Sequence, residues 1–502
     1  MQTHKKLILF TILLAVFVVP SSISGTAIAL PYIASSLGDD ATLLQWVVNA
    51  FNVFFACFTL IWGALADRLT SRVALMLGVS IFLLGSLLSI FADSLIMLDI
   101  GRAMAGIGGA SVFACGSAIL VKTFDEKERL KAFALFGMTA GLGITLSPSI
   151  SGLLIDSFKS VNFMDTPISW RAIFAFHFII LSTVLLLGKI LPKEKAAKNS
   201  RFDTLGSSLF IVFAFCFMLF ITRLSTLDLL TLGILCISLL SALTLIFHQR
   251  HLHRLGKAPL LDFTLLKNKR FFGFSLVAVI SGFSFVVLLT YFPTFLSAVF
   301  GYSAFLSGIF MLTLTSPMLF CPLLAGKILS KGVDSAILAL IMSLLMSVGI
   351  FALLVCVYAL SGVVQVLCIG VCLFVIGCGM GLHAGGIDNL ALGSLKGEGI
   401  GLGAGLLNTL RLGSESIGVA LYASLMLVFI HLNQSLQTML DSKNLETNSL
   451  IQSIASGNLP ANLPLQNLAS IYQESFIFSL GICGGLSVIL SLTVYVLLKG
   501  GK

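Results

Sequence analysis

The chain consists of long apolar runs separated by short polar breaks, from one end to the other. A helix that crosses the hydrocarbon core of a bilayer needs about 20 mostly apolar residues, and each run supplies that length. Barrel strands would be shorter and would alternate in polarity. The pattern predicts fourteen membrane-spanning helices: Leu7 to Ala34, Leu43 to Ala66, Val73 to Ala92, Leu95 to Val121, Ala132 to Ile155, Trp170 to Leu191, Leu205 to Thr222, Leu229 to Phe247, Phe271 to Val299, Ala304 to Ala325, Ala336 to Tyr358, Val363 to Ile387, Ile400 to Ile430 and Ile471 to Leu498.

The polar breaks group these spans as six, two and six. Two basic segments, Pro192 to Arg201 and Gln249 to Arg270, flank the seventh and eighth spans. We therefore expect an all-α integral membrane protein made of two six-helix bundles with two inserted helices. The expected domains are residues 1–192, residues 193–270 and residues 271–502, the last with an exported loop at about 432–470.

The charges fix the expected orientation. Only 10% of the residues are charged, against about a quarter in soluble domains. Most Lys and Arg lie in the breaks that share one side with both termini, and such loops stay in the cytoplasm. We expect a multi-pass protein of the bacterial cytoplasmic (inner) membrane with both termini in the cytoplasm. The net charge of +9 then reflects topology, and no nucleic-acid partner is expected.

Two other features could have changed this picture. A cleaved signal peptide at the amino end is the weaker interpretation, because cleavage would leave an odd number of spans and spoil the charge bias. All ten cysteines lie inside apolar spans, so no disulfide framework or metal site is expected.

The break after the second span combines a small residue with charges of both signs. Glycine lets two helix ends approach closely, and an aspartate beside arginines can form charge pairs that break and reform. These residues are Gly63, Asp67, Arg68 and Arg72.

The fourth span contains an arginine, Arg102, among glycines and alanines. A guanidinium in hydrocarbon is costly, so it normally faces a cavity and has a partner. Asp99 lies one helical turn earlier and is the candidate partner. A purely structural ion pair remains an alternative.

The fifth span contains a proline between small residues. Proline removes a backbone donor and bends a helix, while small neighbours allow close packing, so a hinge-like seam is predicted. Its residues are Gly143, Ser147, Pro148 and Gly152.

In this order, the motifs resemble the major facilitator superfamily, and within it the fourteen-helix drug:proton antiporters. Gln45 to Phe51 and Ser169 to Phe174 open the second and sixth spans as in that branch, and Gly403 to Gly413 is similar to its thirteenth helix. Departures are Thr70 in place of a loop glycine and two serines in place of fifth-span glycines. The resemblance covers essentially the full chain.

The resemblance implies two bundles that expose a central cavity alternately to each side of the membrane. It implies proton-coupled export of amphipathic small molecules or drugs, with the proton gradient as energy source and no cofactor. The partners would be a small-molecule substrate, protons and the lipid bilayer, and the functional unit would be a monomer. The break residues would form a conformational gate, and the fifth-span residues a hinge.

One family residue is absent. Drug exporters of this branch usually carry an acid in the first span, before an Ala-Leu-Pro sequence that this chain has at residues 29–31. Ser22 occupies the aligned position. Another acid would therefore have to couple transport to protons.

Ionisable side chains inside the spans are the candidates for proton coupling or for the substrate cavity. Glu415 follows Arg411 by one turn on the same helix face, where a carboxylate can be poised to exchange protons. A neutralised pair that only fixes packing is equally open. His383 and His177 are further candidates because imidazole titrates near neutral pH. Asp388 is expected at a helix end, in contact with water.

Three functions compete at this point. The first is a proton-coupled drug exporter, and the second is a dedicated exporter of an endogenous anionic metabolite such as a siderophore. The second is favoured by the missing acid and by Arg102 and Arg411 as cavity cations. The third, an enzyme or a channel, is poorly supported, because no zinc, phosphate-loop or nucleophile-elbow motif occurs.

Overall fold

The computed structural model is built almost entirely of α-helices. Within the residues that it describes, fourteen helices are long and apolar enough to cross a membrane, which confirms the number predicted from the apolar runs. The structure describes residues 2–38, 41–158, 160–163, 166–193, 203–223, 228–255, 260, 265, 267–302, 304–384, 386–395, 400–433, 436, 450–451, 454–455, 457 and 464–499.

The first six spans are continuous helices, and several extend past the apolar run that predicted them. The fifth gains its polar first turns, which carry the helix beyond the hydrocarbon. Two short strands, β1 (Asn162–Phe163) and β2 (Thr166–Pro167), pair before the sixth span. The helices are α1 (Gln2–Leu37), α2 (Ala41–Leu69), α3 (Ser71–Ile90), α4 (Leu95–Thr123), α5 (Glu126–Phe158) and α6 (Arg171–Leu187).

The inserted pair and the last six spans follow, and three of these last spans are interrupted. The ninth contains a π turn (Gly282–Val286), the tenth a 3-10 turn (Ser316–Leu319), and the twelfth breaks after His383. The helices are α7 (Thr204–Thr222), α8 (Leu229–Arg254), α9 (Lys269–Ser281), α10 (Val287–Phe300), α11 (Ala304–Thr315), α12 (Cys321–Ser330), α13 (Ser335–Ala359), α14 (Gly362–His383), α15 (Gly386–Gly393), α16 (Ile400–Leu432) and α17 (Leu465–Lys499).

Two of the interruptions can be explained, one by local sequence and one by packing. Pro317 and Pro322 lack backbone donors, so the tenth span cannot continue as a regular α-helix there. The π turn begins at Gly282, where the backbone of α16 comes so close that a Cβ would collide with Ser414. Glycine is therefore required at this contact between the ninth and thirteenth spans.

The fourth span is the central helix of the first six, and it packs closely on α2 and α3. Glycines on α4 make this possible: Gly106 faces the Phe51 carbonyl, and Gly108 faces the backbone of Phe82. A side chain at the middle of α4 is consequently surrounded by protein rather than by lipid. This packing places Arg102 in the interior of the bundle.

The inserted pair packs along both halves, because α7 contacts α2 as well as α16. Phe215 of α7 lies against Phe54 of α2, with ring centroids 5.7 Å apart. The eighth span continues as a helix to Arg254, past the predicted end at Phe247. The start of the second basic segment is thus helical, because its residues pair with the base of α7.

Asp203 joins the first turn of α7 to the last turns of α8. Its carboxylate accepts hydrogen bonds from Gly206 N–H (2.8 Å), His248 Nε2 (2.8 Å) and Gln249 Nε2 (2.6 Å), and so caps α7 and joins it to α8. Burial by itself would raise the pKa of Asp203, but the bonds from His248, Gly206 and Gln249 outweigh it and lower the pKa. Nearly all of the first basic linker, part of the second and most of the loop at 432–470 lie outside the described residues.

Candidate functional site

Arg102 is the buried cation of the amino-terminal half, with 1% of its surface exposed. Nη1 donates to the Ser22 hydroxyl at 2.6 Å, and Nη2 donates to the Ser22 carbonyl at 3.0 Å. Nε donates to the Val47 carbonyl at 2.8 Å. The Phe51 and Phe174 ring centroids lie 4.8 and 5.9 Å from the guanidinium carbon, where aromatic faces stabilise a cation.

The predicted pair between Arg102 and Asp99 is not formed. The guanidinium is directed at α1 and α2, which supply three oxygen acceptors at bonding distance. Asp99 Oδ1 is buried and has no hydrogen-bond partner within the described part of the chain. The spacing of Asp99 and Arg102 along α4 therefore did not predict the partner of Arg102, because α1 and α2 place hydrogen-bond acceptors closer to the guanidinium.

His177 joins the same cluster through two serines. Ser21 Oγ lies 3.1 Å from His177 Nε2 and 2.8 Å from Ser147 Oγ, and the Ser147 hydroxyl also contacts the Ser21 carbonyl at 2.9 Å. His177 Nδ1 is buried and unpartnered among the described residues. Ser147, which replaces a glycine of the family motif, thus connects α5 to α1, and Ser21 connects α1 to α6.

The predicted hinge residues divide into two groups. Gly143 packs against Pro20 and the Phe17 carbonyl of α1, at a distance that excludes a larger side chain. Pro148 lies inside α5 without ending it. Gly152 has no atom within 4 Å of the place where a Cβ would be, so close packing does not require glycine there.

In the carboxyl-terminal half, Arg411 binds Asp388 rather than Glu415. Nη2 donates to Asp388 Oδ1 at 2.7 Å, and Nη1 donates to Asn408 Oδ1 at 3.0 Å. Asp388 is 2% exposed, so the expectation that it would meet water was wrong. The break after His383 starts a new helix, α15, whose first turn carries Asp388 against the thirteenth span.

Glu415 lies near the middle of the 33-residue helix α16 and is partly buried. Its carboxylate has no hydrogen bond or ion pair with any residue that the structure describes. His383 is 1% exposed, and within the same residues neither ring nitrogen has a hydrogen-bond partner. These two titratable groups are therefore not held in one protonation state by a bonded neighbour.

The two halves meet at the face where α2 ends and α16 begins, which we call the gate face. Asp67 Oδ2 accepts a hydrogen bond of 2.8 Å from the Leu402 backbone N–H in the other half. Arg129 Nε donates to Asn389 Oδ1 at 2.9 Å, also across the halves. Two hydrogen bonds thus join the halves at the gate face.

The other predicted gate residues contribute in different ways. Gly63 lies where α2 approaches α16 closely. A Cβ atom added to Gly405 of α16 would be only 3.3 Å from the Gly63 Cα. Arg68 is in the last turn of α2. Arg72 donates to the Leu191 carbonyl at 3.2 Å, so this bond stays within the amino-terminal half.

Thr70 shows the cost of one departure from the family motif. Its φ of 139° lies in the region that favours glycine. The side chain offsets part of that strain, because its hydroxyl accepts a hydrogen bond of 3.2 Å from Val73 N–H and caps α3. A threonine at this position is strained at a φ that glycine adopts easily, but its hydroxyl caps α3.

Comparison with known proteins shows the family of this chain. Residues 12–419 match the Major Facilitator Superfamily. The chain belongs to this superfamily. The chain thus falls, as the sequence predicted, in a family of multi-pass membrane transporters and not of enzymes.

Relatives within the superfamily include drug transporters. The multidrug transporter protein MdtP of Bacillus subtilis (strain 168) is 24% identical over 66% of this chain and 59% of its own length. The riboflavin transporter RibZ of Clostridioides difficile (strain 630) is 26% identical over 87% of this chain and 91% of its own. The chain spans less than two thirds of the length of the curated multidrug transporters that it matches.

A solved structure shows the same fold. The proton:xylose symporter XylE, bound to 6-bromo-6-deoxy-D-glucose, aligns with a TM-score of 0.62 at 16% identity, covering 98% of this chain and 95% of that chain.

Sequence reasoning missed three polar residues of this transporter. Arg129 and Asn389 join the halves, and Asn408 shares Arg411 with Asp388. The sequence could have indicated Asn408, because it lies one helical turn before Arg411 in a mostly apolar span. The contact between Arg129 and Asn389 had none, because it joins residues 260 apart in the chain.

Proposed function

We propose that this transporter exports amphipathic, drug-like compounds in exchange for protons. Its relatives include multidrug transporters, which supports the substrate class. The observation that carries the proton coupling is the state of Glu415, a carboxylate near mid-membrane that has no bonded partner among the described residues.

Protonation of Glu415 and protonation of Asp388 differ in the interactions that would be lost. A proton on Asp388 would have to displace the 2.7 Å bond from Arg411, leaving a buried cation unpaired. A proton on Glu415 breaks no such bond. Glu415 can therefore bind a proton when the site faces one compartment and release it when the site faces the other, while Asp388 holds Arg411 in place.

The proposed orientation follows from the charges. With both termini in the cytoplasm of a bacterial inner membrane, the gate face is cytoplasmic and the closed gate corresponds to a state that faces outward. Protonation of Glu415 from outside, reopening at the gate face and exchange of the proton for substrate would complete export. The two six-helix bundles would move as units, in a transporter that acts as a monomer.

The export of an anionic metabolite is less well supported by the contacts. An anion that used Arg102 would have to displace Ser22 and Val47, and one that used Arg411 would have to displace Asp388. A neutral planar compound needs neither cation. Because RibZ is named as a riboflavin transporter, riboflavin is the first metabolite to compare with drugs.

Inside-out membrane vesicles with an imposed proton gradient test the proposal. A lipophilic dye should accumulate and should leave when the gradient collapses, whereas riboflavin and anionic metabolites should not accumulate. Glu415→Gln should lose gradient-driven accumulation but retain expression. Glu474→Gln is the matched control, because this exposed carboxylate binds Asn433 at the opposite end of the thirteenth and fourteenth spans. Unchanged accumulation in Glu415→Gln would remove Glu415 from the mechanism.

A further inference from the structure

Three hydroxyl groups lie on one buried face of α17. Tyr472, Ser475 and Ser479 follow each other at helical spacing and are 0%, 1% and 0% exposed. The Ser475 and Ser479 hydroxyls have no hydrogen-bond partner among the residues that the structure describes, and the Tyr472 hydroxyl lies beside that of Tyr422 without a bond of regular geometry. The usual partner of a buried serine in a helix is the carbonyl one turn earlier, and here that bond is missing.

The same helix shows the usual arrangement a few turns later. The Ser487 hydroxyl donates to the Cys483 carbonyl at 3.0 Å, and the Ser491 hydroxyl donates to the Ser487 carbonyl at 2.8 Å. Ser475 and Ser479 are therefore oriented differently from serines of similar burial in the same helix. Their hydroxyls make no such bond to the backbone of α17.

A fourth hydroxyl, on the thirteenth span, lies beside that of Tyr472. Tyr422 of α16 is 1% exposed, and its hydroxyl lies close to that of Tyr472 without a hydrogen bond of regular geometry. Its ring stacks on Tyr291 at 4.4 Å, and the Tyr291 hydroxyl contacts the Val419 carbonyl at 3.3 Å. The stack fixes the Tyr422 ring and leaves its hydroxyl free of that carbonyl.

These four groups, which we call the hydroxyl seam, extend toward Glu415. The Tyr422 and Phe476 rings meet with centroids 6.1 Å apart, which sets the level of α16 against α17. The two helices run in opposite directions, so Ser479 lies one turn from that level toward Glu415. At a rise of about 1.5 Å per residue, Glu415 is roughly 10 Å from Tyr422 along α16. Tyr472 lies on the other side, nearer the face opposite the gate.

The unpaired hydroxyls need an explanation. Buried hydroxyls without a regular hydrogen bond are uncommon in folded proteins, so a group of them in one seam is expected where something else bonds them during function. Each can accept a hydrogen bond and donate one, which suits water molecules and transferred protons. The other titratable groups that act on the seam are Tyr291 and Cys483, and Arg411 lies one turn from Glu415 on α16.

We propose that Tyr472, Tyr422, Ser475 and Ser479 form a proton path, completed by water, between Glu415 and the face opposite the gate. The inference rests on the proposed exchange of protons at Glu415. At each step a hydroxyl oxygen accepts a proton and passes its own to the next oxygen, so that no net bond is made or lost along the seam. The last proton forms the O–H bond of the Glu415 carboxyl group.

The test uses the full-length protein in proteoliposomes that enclose a pH-sensitive dye. Tyr422→Phe and Ser479→Ala should each slow gradient-driven proton movement about tenfold or more, equivalent to ~1.4 kcal/mol in the barrier. The dissociation constant for a transported dye should stay unchanged in both variants. Ser487→Ala is the control, because its hydroxyl is bonded to the same helix and should have no role.

Rates in both seam variants equal to the rate of Ser487→Ala would overturn the path, and so would a loss of dye binding that matches the loss of rate. If neither variant is recovered folded, native protein in D2O decides: proton movement should slow, and an unchanged rate would overturn the path. Glu415→Gln separates the two ideas. Normal gradient-driven transport in that variant would refute the proposed function, whereas its loss together with unaffected seam variants would refute the path alone.

Discussion

The hydroxyl of Ser22 accepts a hydrogen bond of 2.6 Å from Arg102 Nη1. A neutral group thus holds the buried arginine at the position where, by resemblance, drug:proton antiporters of this branch present a carboxylate. The other half is arranged differently, because Arg411 is paired with Asp388 and Glu415 is left without a bonded partner among the described residues. The proposed proton coupling is therefore assigned to the carboxyl-terminal half.

Removal of the Ser22 hydroxyl should destabilise the amino-terminal half. Hydrogen bonds to charged groups contribute about 1.5–3 kcal/mol, so Ser22→Ala should lower the free energy of unfolding by about that amount. Ser182→Ala is the control, because that hydroxyl donates to the Phe178 carbonyl within α6. The measurement is thermal unfolding of the two purified variants in detergent. Equal stability of both variants would contradict the importance of the bond.

Loss of the Asp388 carboxylate should be more damaging than loss of the Glu415 carboxylate. Asp388→Asn would leave the buried Arg411 without its counter-ion, a change that costs about 3–5 kcal/mol in typical proteins. Glu415→Gln breaks no bond among the described residues and should unfold near the wild-type temperature. Recovery of folded protein and its midpoint of unfolding check the difference. The idea fails if Glu415→Gln proves the less stable of the two.

Two glycines of α16 should respond oppositely to the same substitution. A Cβ on Gly418 would collide with the Gly282 carbonyl at the π turn, so Gly418→Ala should push the ninth and thirteenth spans apart and reduce stability and transport. Gly413 has no atom within 4 Å of that place. Gly413→Ala should be neutral or should stabilise by up to about 1 kcal/mol, because alanine favours helix. Similar unfolding temperatures for both would show that the close contact is unimportant.

Removal of the Asp67 carboxylate should favour opening at the gate face. Asp67→Ala loses the 2.8 Å bond to the Leu402 N–H across the halves. Each ~1.4 kcal/mol lost shifts the ratio of closed to open molecules about tenfold. Distances between spin labels on the ends of α2 and α16 would report the shift. Asp156→Ala, an exposed position near the other end of α5, should leave the distances unchanged, and an equal response in both variants would argue against a gate.

The interruptions of the last six spans show which helix breaks can be predicted from local sequence and which cannot. Pro317 and Pro322 mark the break in the tenth span, since proline acts on the turn in which it stands. The π turn at Gly282 has no such local mark, because its glycine is needed only where α16 approaches. The break after His383 was also not predicted, and it is the break that turns Asp388 inward.

The sequence by itself determined the number of spans and the superfamily, and it predicted a grouping of the spans as six, two and six. The hydrocarbon of a bilayer imposes about 20 apolar residues on every crossing helix, and that requirement is written locally in the chain. Only the tertiary structure decided which side chains meet. Arg102 meets Ser22, 80 residues away, and Arg411 meets Asp388, 23 residues away. Such partners depend on how each helix is rotated and how closely its neighbours approach, and spacing along one helix cannot supply either quantity.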